Sequence, residues 1–361
     1  MPLLNGENLL VSVVVIGRNE GERLVRCLES VRALQDLEGG VEIIYADSAS
    51  TDGSPARAAA LGARVIAVTS SRPTAAQGRN AGWRAAAGTF VLFLDGDTIL
   101  HPDFARVALE ALTADATLAA VWGHRREIHP ERSIYNRVLD LDWIFPPGLT
   151  DYCGGDVLMR RAALESVDGY DPTLIAGEEP ELCRRMRAKG YRILHVDAPM
   201  TGHDMAMTRF GQYWRRAVRT GHAYAEVSRR FRGSADPLWR EARVRNLLRG
   251  PFWTFAPVVA AVACVGWRSV WPALALLMLL LVLTIRSASK ARWKSSDRGA
   301  LFLYGLHSHL QQIPIFLGQV QFGWSARLGK RQGLIEYKGR QRGAGAGADA
   351  DEAAPRERPQ R

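Results

Sequence analysis

Apolar runs alternate with segments of helical periodicity along the first hundred residues of the chain. Residues 10–16 and 41–46 are β-branched runs that predict strands, and each is followed by a polar loop and a helical pattern. Residues 64–68 and 89–94 repeat the arrangement. Alternating strands and helices with short connections predict an α/β fold with a mainly parallel, Rossmann-like central sheet. Such sheets bind their ligands at the carboxyl ends of the strands.

Three aspartates stand at predicted strand ends, Asp47 after the second strand and Asp95 and Asp97 after the fourth. Residues two apart in a strand point to the same side, so Asp95 and Asp97 can face one hard cation, with Gly96 allowing close approach. Mg²⁺ takes few protein carboxylates and completes its shell with water and phosphate oxygens, so this pair suits a bound diphosphate. A plain strand-end turn, in which Asp and Gly are common, is the alternative.

Five short motifs, in a fixed order over about the first two hundred residues, carry a resemblance to a known family. They are Asn19-Glu20 after the first strand, residues 47–54, residues 78–82, residues 95–97, and residues 177–179. In this order they resemble the inverting glycosyltransferases of family 2, which have the nucleotide-binding GT-A fold. The resemblance implies a catalytic domain at residues 1–235, a hexosyltransferase activity, a nucleotide-sugar donor, and Mg²⁺ or Mn²⁺ as cofactor.

The resemblance also implies which residues hold the donor. Asp47 would bind the base or ribose, and Arg79 would lie near the nucleotide. Asp95 would contact the ribose, and Asp97 would hold the metal. The chemistry agrees, because a carboxylate accepts hydrogen bonds from the imide N–H of uracil or from ribose hydroxyls, whereas a guanidinium suits phosphate oxygens. A UDP-sugar is therefore the favoured donor.

Gly17, Asn19 and Glu20, in the first loop, complete the predicted donor site. The family usually has Pro-Thr and an aromatic residue before Asn-Glu, whereas this chain has Ile16-Gly17-Arg18. Because an aromatic that could stack on the base is missing, the resemblance specifies the mode of nucleotide binding more closely than the base. Arg18 is either a phosphate ligand or an exposed arginine of a basic chain.

Glu178 and Glu179 occupy the place of the acidic pair that carries the general base of the family. An inverting transfer needs a base for the acceptor hydroxyl on the side opposite the leaving diphosphate. The resemblance assigns this role to Glu179, with Glu178 as the second candidate, although the family more often has Asp at this place. Glutamates in the first turn of a helix, beside Pro180, also fit plain helix capping.

Four further residues are candidates because of their positions. Asp156, after paired glycines, resembles the acceptor-side loop of the family, and His203 stands where GT-A enzymes often carry a metal-ligating histidine. Gln212 and Arg215 resemble the Gln-x-x-Arg-Trp signature of processive synthases on the acceptor side. Arg216 replaces the tryptophan of that signature, which favours transfer of a single sugar. A structural histidine and an amphipathic basic helix are the alternatives.

Residues 236–330 differ in composition and predict a membrane-associated helical region. Two apolar runs flanked by tryptophans predict a tight transmembrane hairpin at about residues 252–286, and basic residues on both sides place its two ends in the cytoplasm. A buried helical core is the alternative. Residues 300–324, interrupted by Pro314, predict an interfacial helix in preference to a third span, and residues 338–361 predict a disordered tail.

The net charge of +10 is explained by attraction to anionic membrane lipids, because much of it flanks the predicted hairpin and no nucleic-acid-binding motif accompanies it. The N-terminus has no signal-peptide pattern, and the four cysteines have no disulfide or metal spacing. These features predict a catalytic domain on the cytoplasmic face of the inner membrane.

The sequence thus predicts transfer of a single sugar, with inversion, to a hydroxyl of a lipid-linked or glycan acceptor in surface polysaccharide or glycolipid biosynthesis. Two alternatives stay open. One is a polyprenyl-phosphate sugar synthase, whose phosphate acceptor needs little base, and the other is a non-catalytic nucleotide-binding scaffold of a polysaccharide synthase complex. The combination of Asp47, Asp95, Asp97 and Glu179 argues against the scaffold.

Overall fold

The computed structural model describes residues 11–329 of the chain except residues 33, 35, 36 and 38. The first ten residues of the predicted catalytic domain and the predicted disordered tail at residues 338–361 lie outside the described residues. The described residues form nine strands, all in one sheet, and twelve α-helices.

The strands are β1 (Val11–Gly17), β2 (Val41–Asp47), β3 (Arg64–Ala67), β4 (Phe90–Asp95), β5 (Thr98–Leu100), β6 (Leu118–Glu127), β7 (Gly148–Thr150), β8 (Val157–Arg160) and β9 (Arg192–His203). The first eight helices are α1 (Glu22–Arg32), α2 (Ser54–Ala60), α3 (Ala75–Ala85), α4 (Phe104–Ala114), α5 (Ile134–Asp140), α6 (Arg161–Ser166), α7 (Glu178–Ala188) and α8 (Phe210–Arg230). The last four are α9 (Arg240–Gly266), α10 (Trp271–Lys290), α11 (Arg298–Leu310) and α12 (Gln312–Arg327).

The first four strands form the parallel half of the sheet, in the order β3-β2-β1-β4. The apolar runs of β1 and β4 are buried on both faces, as expected of parallel strands covered by helices, whereas β3 at the edge is partly exposed. Gly17 lies opposite Asp47, and Ile16 lies opposite Asp95, so the carboxyl ends of β1, β2 and β4 meet at one edge. This half confirms the predicted α/β, Rossmann-like sheet with its acidic residues at the strand ends.

The other half of the sheet is mixed, in the order β8-β6-β9-β5, with β7 paired to β9. Four of the eight strand pairings are antiparallel, so the predicted mainly parallel character applies to the N-terminal half alone. The antiparallel pairs involve β5, β7 and β8, which have three or four residues each and are too short to show a hydrophobic period. The antiparallel pairing of β5 with β9 places His203 opposite Thr98, and the parallel pairing of β6 with β9 places it opposite Glu127.

The helices α9 and α10 form the predicted hairpin, with different bounds. The first begins at Arg240, not near residue 252, because the helix continues through Pro251 and Pro257. Both helices are long and apolar enough to cross a membrane, and only 11% and 6% of their most apolar windows are buried. This exposure does not fit the alternative of a buried helical core. The predicted interfacial helix at residues 300–324 is two helices, α11 and α12, which meet at Gln311.

Glycines allow the backbone of α12 to pack directly against α8 and α9. A Cβ atom added at Gly221 of α8 would lie 2.0 Å from the carbonyl oxygen of Ile315, and one at Gly318 of α12 would lie 2.0 Å from that of Val218. A Cβ atom at Gly250 of α9 would lie 2.1 Å from the Cβ atom of Phe316. The backbone of α12 is therefore in close contact with α8 and α9, which no residue larger than glycine permits at these positions.

We expect Gly318→Ala to loosen this contact, because the added methyl group must push α12 away from α8. Overpacking of this kind costs about 1–3 kcal/mol. The measurement is the melting temperature of the detergent-purified protein together with the rate of proteolysis between α8 and α12.

Gly323→Ala is the matched control, because nothing lies within 4 Å of a Cβ atom at this position of the same helix. It should leave stability unchanged or raise it, since Ala exceeds Gly in helix propensity by about 1 kcal/mol. Equal behaviour of the two variants would contradict the packing described here.

Candidate active site

A buried arginine joins the acidic residues of the predicted donor and acceptor sides. Arg79, on α3, is 2% exposed, and its Nη2 donates to Asp95 Oδ1 at 2.9 Å. Its Nη1 lies 3.2 Å from Glu178 Oε1 and 3.0 Å from Glu179 Oε1. The prediction put Arg79 near the nucleotide. The structure adds that its guanidinium is surrounded by three carboxylates, which a buried charge needs for compensation.

The general-base candidate has an ionisation suited to its role. Burial, and then the negative charge of Glu178, raise the pKa of Glu179 to about 7, while Arg79 acts in the opposite direction. A carboxylate whose pKa lies near neutral pH is unprotonated for much of the time and still basic enough to take a proton. Glu178 is more deeply buried than Glu179, at 6% against 15% side-chain exposure. The more accessible member of the pair is thus the one that the sequence predicts to be the base.

The glycine loop before β8 packs directly on this cluster. A Cβ atom at Gly155 would lie 2.4 Å from Arg79 Nη2, 3.2 Å from Asp95 Oδ2 and 3.3 Å from Glu179 Oε1. A glycine is therefore required here so that the backbone can approach the three side chains. The sequence singled out this loop, but its predicted contact was the acceptor and not Arg79.

Asp156 does not occupy the predicted acceptor-side position. It is fully buried, its Oδ1 accepts from the backbone N–H of Asp95 at 2.9 Å, and its Oδ2 accepts from Thr201 Oγ1 at 2.8 Å. Burial raises the pKa of Asp156, although Arg125 lies 3.6 Å away and opposes this effect. Its two oxygens thus hold β4 to β9 beneath the site, and we correct its role from acceptor contact to support of Asp95.

Asp97 and His203, the two predicted metal ligands, lie next to each other in the structure. Both are buried, and His203 Nε2 lies 3.3 Å from Asp97 Oδ2. Ligands in neighbouring positions of an octahedral ion, with bonds of about 2.1 Å, are separated by about 3 Å, so the pair fits Mg²⁺ or Mn²⁺. The part of the chain that the structure describes has no group of three or more His, Cys, Asp or Glu side chains placed to hold a metal. An ion here would therefore take its other ligands from water and phosphate.

Two residues of β6 that the sequence reasoning missed lie beside the predicted site residues, Glu127 at His203 and Arg125 at Asp95. Glu127 Oε2 lies 3.6 Å from His203 Nδ1 and also accepts from the backbone N–H of Met205 at 3.0 Å. Arg125 lies 3.5 Å from Asp95 Oδ2, and its guanidinium stacks over the Trp143 ring at 4.9 Å. Residues two apart in a strand share a side, so the spacing of Arg125 and Glu127 is the signal that could have revealed them.

The first two loops form the remaining part of the predicted donor site. Asp47 is buried, with Oδ1 accepting from Tyr45 Oη and Oδ2 from the backbone N–H of Ser50, both at 2.9 Å. Asn19 adopts a left-handed conformation with φ of 56°, and its Oδ1 accepts from the backbone N–H of Thr51 at 2.7 Å. The loops after β1 and β2 thus brace each other around the carboxylate of Asp47.

Gly17 and Glu20 lie close together in the first loop. A Cβ atom at Gly17 would lie 3.1 Å from Glu20 Cγ, and Glu20 Oε2 forms a 2.6 Å ion pair with Arg23 Nη2. Glu20 is buried and thus holds the loop to α1, which gives it a bracing role.

Gln212 and Arg215 lie at the start of α8. Gln212 Oε1 accepts from the backbone N–H groups of Thr208 and Arg209, both at 3.0 Å, so this side chain caps the helix. Arg215 is exposed. Helix capping accounts for Gln212 without an acceptor, while the predicted acceptor contact of Arg215 stays a prediction.

We expect Mn²⁺ to bind with UDP or GDP at Asp97 and His203, and Asp97→Asn to weaken that binding at least tenfold. Glu127→Gln should weaken it about 10-fold to 100-fold, because outer partners of a ligating histidine carry effects of this size. Electron paramagnetic resonance of free Mn²⁺ measures both. Asp103→Asn, at an exposed carboxylate outside the site, is the control. Unchanged affinity in Asp97→Asn would refute this metal site.

Comparison with known proteins shows which family and which solved structures this chain is similar to. The family described as Glycosyl transferase family 2 matches residues 12–168, which include β1 to β8 and the acidic residues at the strand ends. The succinoglycan biosynthesis protein ExoO of Rhizobium meliloti is 34% identical over 114 residues. The matched segment is 31% of this chain and 32% of ExoO, so the similarity spans about a third of the length of that relative.

Two solved glycosyltransferase structures can be compared with the fold of this chain. A mannosyltransferase from Pyrobaculum calidifontis, in complex with GDP-Man and Mn²⁺, has a TM-score of 0.63 with 20% identity and covers 87% of each chain. Glucosyl-3-phosphoglycerate synthase from Mycobacterium tuberculosis, in complex with Mn²⁺ and UDP-Glc, is a weaker match. Its TM-score is 0.39, with 22% identity over 54% of this chain and 71% of that chain. Residues 12–168 thus match glycosyltransferase family 2, and the fold of the described chain is the GT-A fold of the mannosyltransferase.

Proposed function

We propose that this enzyme transfers a single sugar, with inversion, from a nucleotide-sugar donor to a hydroxyl of a lipid-linked or glycan acceptor. The observation that carries the proposal is the division of the acidic residues by Arg79. Asp95 lies on one side of its guanidinium, and Glu178 and Glu179 lie on the other. A donor site and an acceptor base thus share one buried charge. The role of ExoO in succinoglycan biosynthesis supports a pathway of surface polysaccharide or glycolipid assembly.

The donor side would be formed by Asp47, Asp95 and Asp97 at neighbouring strand ends. The carboxylate of Asp47 has lone pairs beyond its two internal hydrogen bonds, so it can accept from a base N–H or a ribose hydroxyl. A UDP-sugar is the favoured donor, and the GDP-Man of the mannosyltransferase makes a GDP-sugar the second candidate. Bound Mg²⁺ or Mn²⁺ at Asp97 and His203 would supply Lewis acidity toward the leaving diphosphate.

On the acceptor side, Glu179 would take the proton of the acceptor hydroxyl as the oxygen forms its bond to the sugar. The ion pair with Arg79 uses Oε1, so we assign the proton transfer to Oε2. Arg79 would hold the carboxylate in place, and its charge opposes the effect of burial on the pKa of Glu179. The two glutamates thus differ in role. The more buried Glu178 compensates the charge of Arg79, and the more accessible Glu179 faces the acceptor.

The C-terminal helices would hold the catalytic domain at the cytoplasmic face of the inner membrane. The hairpin of α9 and α10 exposes large apolar side chains that include Val259, Val262, Leu277 and Leu281. Exposed apolar surface of this extent is costly in water and is stable in hydrocarbon. Basic residues at both ends of the hairpin favour anionic lipid headgroups on the cytoplasmic side. Anchoring would bring the site to a lipid-linked acceptor.

We expect Glu179→Gln to lower the rate of sugar transfer about 10²-fold to 10⁴-fold, since this is the usual contribution of a general base. Donor binding should be unchanged, because the amide keeps the size of the side chain. Glu178→Gln is the matched comparison, because it makes the same change at a carboxylate that contacts the same Arg79 nitrogen. It should lower the rate much less.

The measurements are transfer from radiolabelled nucleotide sugars in membranes and donor affinity in detergent. Transfer that survives in Glu179→Gln would contradict the assigned base and would favour a phosphate acceptor, as in a polyprenyl-phosphate sugar synthase. Absence of transfer and of donor hydrolysis in the unaltered enzyme would favour the scaffold.

The pH dependence of sugar transfer should report the ionisation of Glu179. Because the raised pKa of Glu179 is about 7, the base is protonated and inactive below that pH, and kcat/KM for the acceptor should fall about tenfold per pH unit between pH 6 and 5. Above pH 8 it should be level. The residual rate of Glu179→Gln should lack this acidic limb. A profile that is level from pH 5 to 8, or that falls as the pH rises, would be inconsistent with Glu179 as the base.

A further inference from the structure

A large cleft lies between the catalytic domain and the C-terminal helices, apart from the carboxylate cluster. Its volume is about 910 Å³. Its walls are the loop that precedes α3, the loop that precedes α7, the second half of α8 and the end of α12. None of the predicted site residues lines it, so the proposed function leaves it without a role.

The charge of the cleft favours an anion. Arg72, Arg229 and Arg230 line it, against one carboxylate, Glu226. Arg230 is compensated by ion pairs with Glu226 at 2.9 Å and with Asp171. Arg72 and Arg229 are exposed and make no ion pair within 4.0 Å in the described part of the chain. Two positive charges are therefore available to a ligand.

The local backbone favours an anion as well. Thr74 and Gln77, which form the capping box at the start of α3, also line the cleft. The positive end of the α3 helix dipole thus faces the same space as Arg72, and helix N-termini attract phosphate groups.

One wall of the cleft is apolar, which indicates an amphipathic ligand. Ile175 and Phe322 line it beside His222, whose ring packs edge-on against Phe322 at 5.0 Å. Burial lowers the pKa of His222 to about 4, so this imidazole is neutral at pH 7 and adds no charge to that wall. A phosphate joined to an apolar chain would satisfy both walls, whereas a free nucleotide would leave the apolar one uncovered.

The cleft is linked to the membrane hairpin by α12. This helix starts beside the hairpin, where Phe316 packs on Gly250, and its last turns line the cleft. The exposed side chains of Leu317, Val320 and Trp324 lie on the face of α12 opposite the residues that line the cleft. The apolar wall that an apolar chain would contact is therefore the one formed by Ile175 and Phe322.

The cleft is also close to the proposed base. Ile175 lines the cleft, and Glu179 is four residues further along the chain. Four residues span at most about 14 Å, which is within the reach of a sugar joined to a diphosphate. We propose that the cleft binds the phosphate or diphosphate that joins the acceptor sugar to its lipid, an inference that rests on the proposed function.

The test uses the full chain in detergent with farnesyl diphosphate as the probe, and EDTA keeps the diphosphate from any metal at Asp97. Isothermal titration should show binding at least tenfold tighter than that of farnesol or of inorganic pyrophosphate. The variant Arg72→Gln/Arg229→Gln should weaken it at least tenfold. Arg64→Gln/Arg106→Gln, which removes two exposed arginines of β3 and α4, should not.

Three results would overturn the proposal: equal binding by the two double variants, binding of pyrophosphate as tight as that of farnesyl diphosphate, or equal competition by phosphatidylglycerol. The last would indicate a site for bulk anionic lipid. Binding of UDP and GDP with Mn²⁺ is measured in the same variants and should be unchanged. Its persistence when farnesyl diphosphate binding fails would refute the cleft proposal alone, and its absence from the unaltered protein would refute the proposed donor site.

Discussion

The guanidinium of Arg79 is the group on which the acidic cluster of the proposed active site depends. It is buried, it contacts carboxylates from β4 and from the start of α7, and Gly155 packs directly against it. Removing one partner of a buried ion pair typically costs about 3–5 kcal/mol, because the other charge is left without compensation. Without Arg79, Asp95, Glu178 and Glu179 would repel one another at short distance. The fold can therefore bring three carboxylates together only because this arginine lies among them.

This arrangement divides the acidic residues into two groups. Asp95 is neutralised by Arg79 on one side and by Arg125 on the other, which makes it a poor ligand for a cation. Asp97, two residues later, instead faces His203, and Glu127 lies behind the imidazole. Strand pairing produces this second group, since β9 brings His203 beside both β5 and β6. The proposed metal site thus lies where β5, β6 and β9 meet, whereas the proposed base lies at the start of α7.

The sequence predicted the parts of the fold that have long, regular patterns. The buried runs of β1, β2 and β4 and the aspartates after them were recognisable because each strand has six or seven residues and ends in a polar turn. The strands β5 and β7 were not, because three residues show no period. The start of α9 at Arg240, upstream of the predicted hairpin, was not recognisable because prolines usually end a helix, whereas this helix continues through Pro251 and Pro257.

The candidate site was predicted less completely, because roles depend on contacts between distant residues. Asp156 follows two glycines and resembles a ligand loop, yet its partners are Thr201 and the backbone of Asp95, which no local pattern reveals. Arg125 and Glu127 lie in the polar end of a strand whose neighbours decide their function.

Anomalous diffraction tests most directly whether the metal binds at Asp97 and His203. In the proposed arrangement, the ion pairs of Arg79 occupy Asp95, Glu178 and Glu179, so these carboxylates do not bind the metal. Crystals grown with Mn²⁺ and a nucleoside diphosphate should show one anomalous peak within bonding distance of Asp97 and His203, with the Arg79 ion pairs intact. A peak at Asp95 or between Glu178 and Glu179, with Arg79 displaced, would contradict the account.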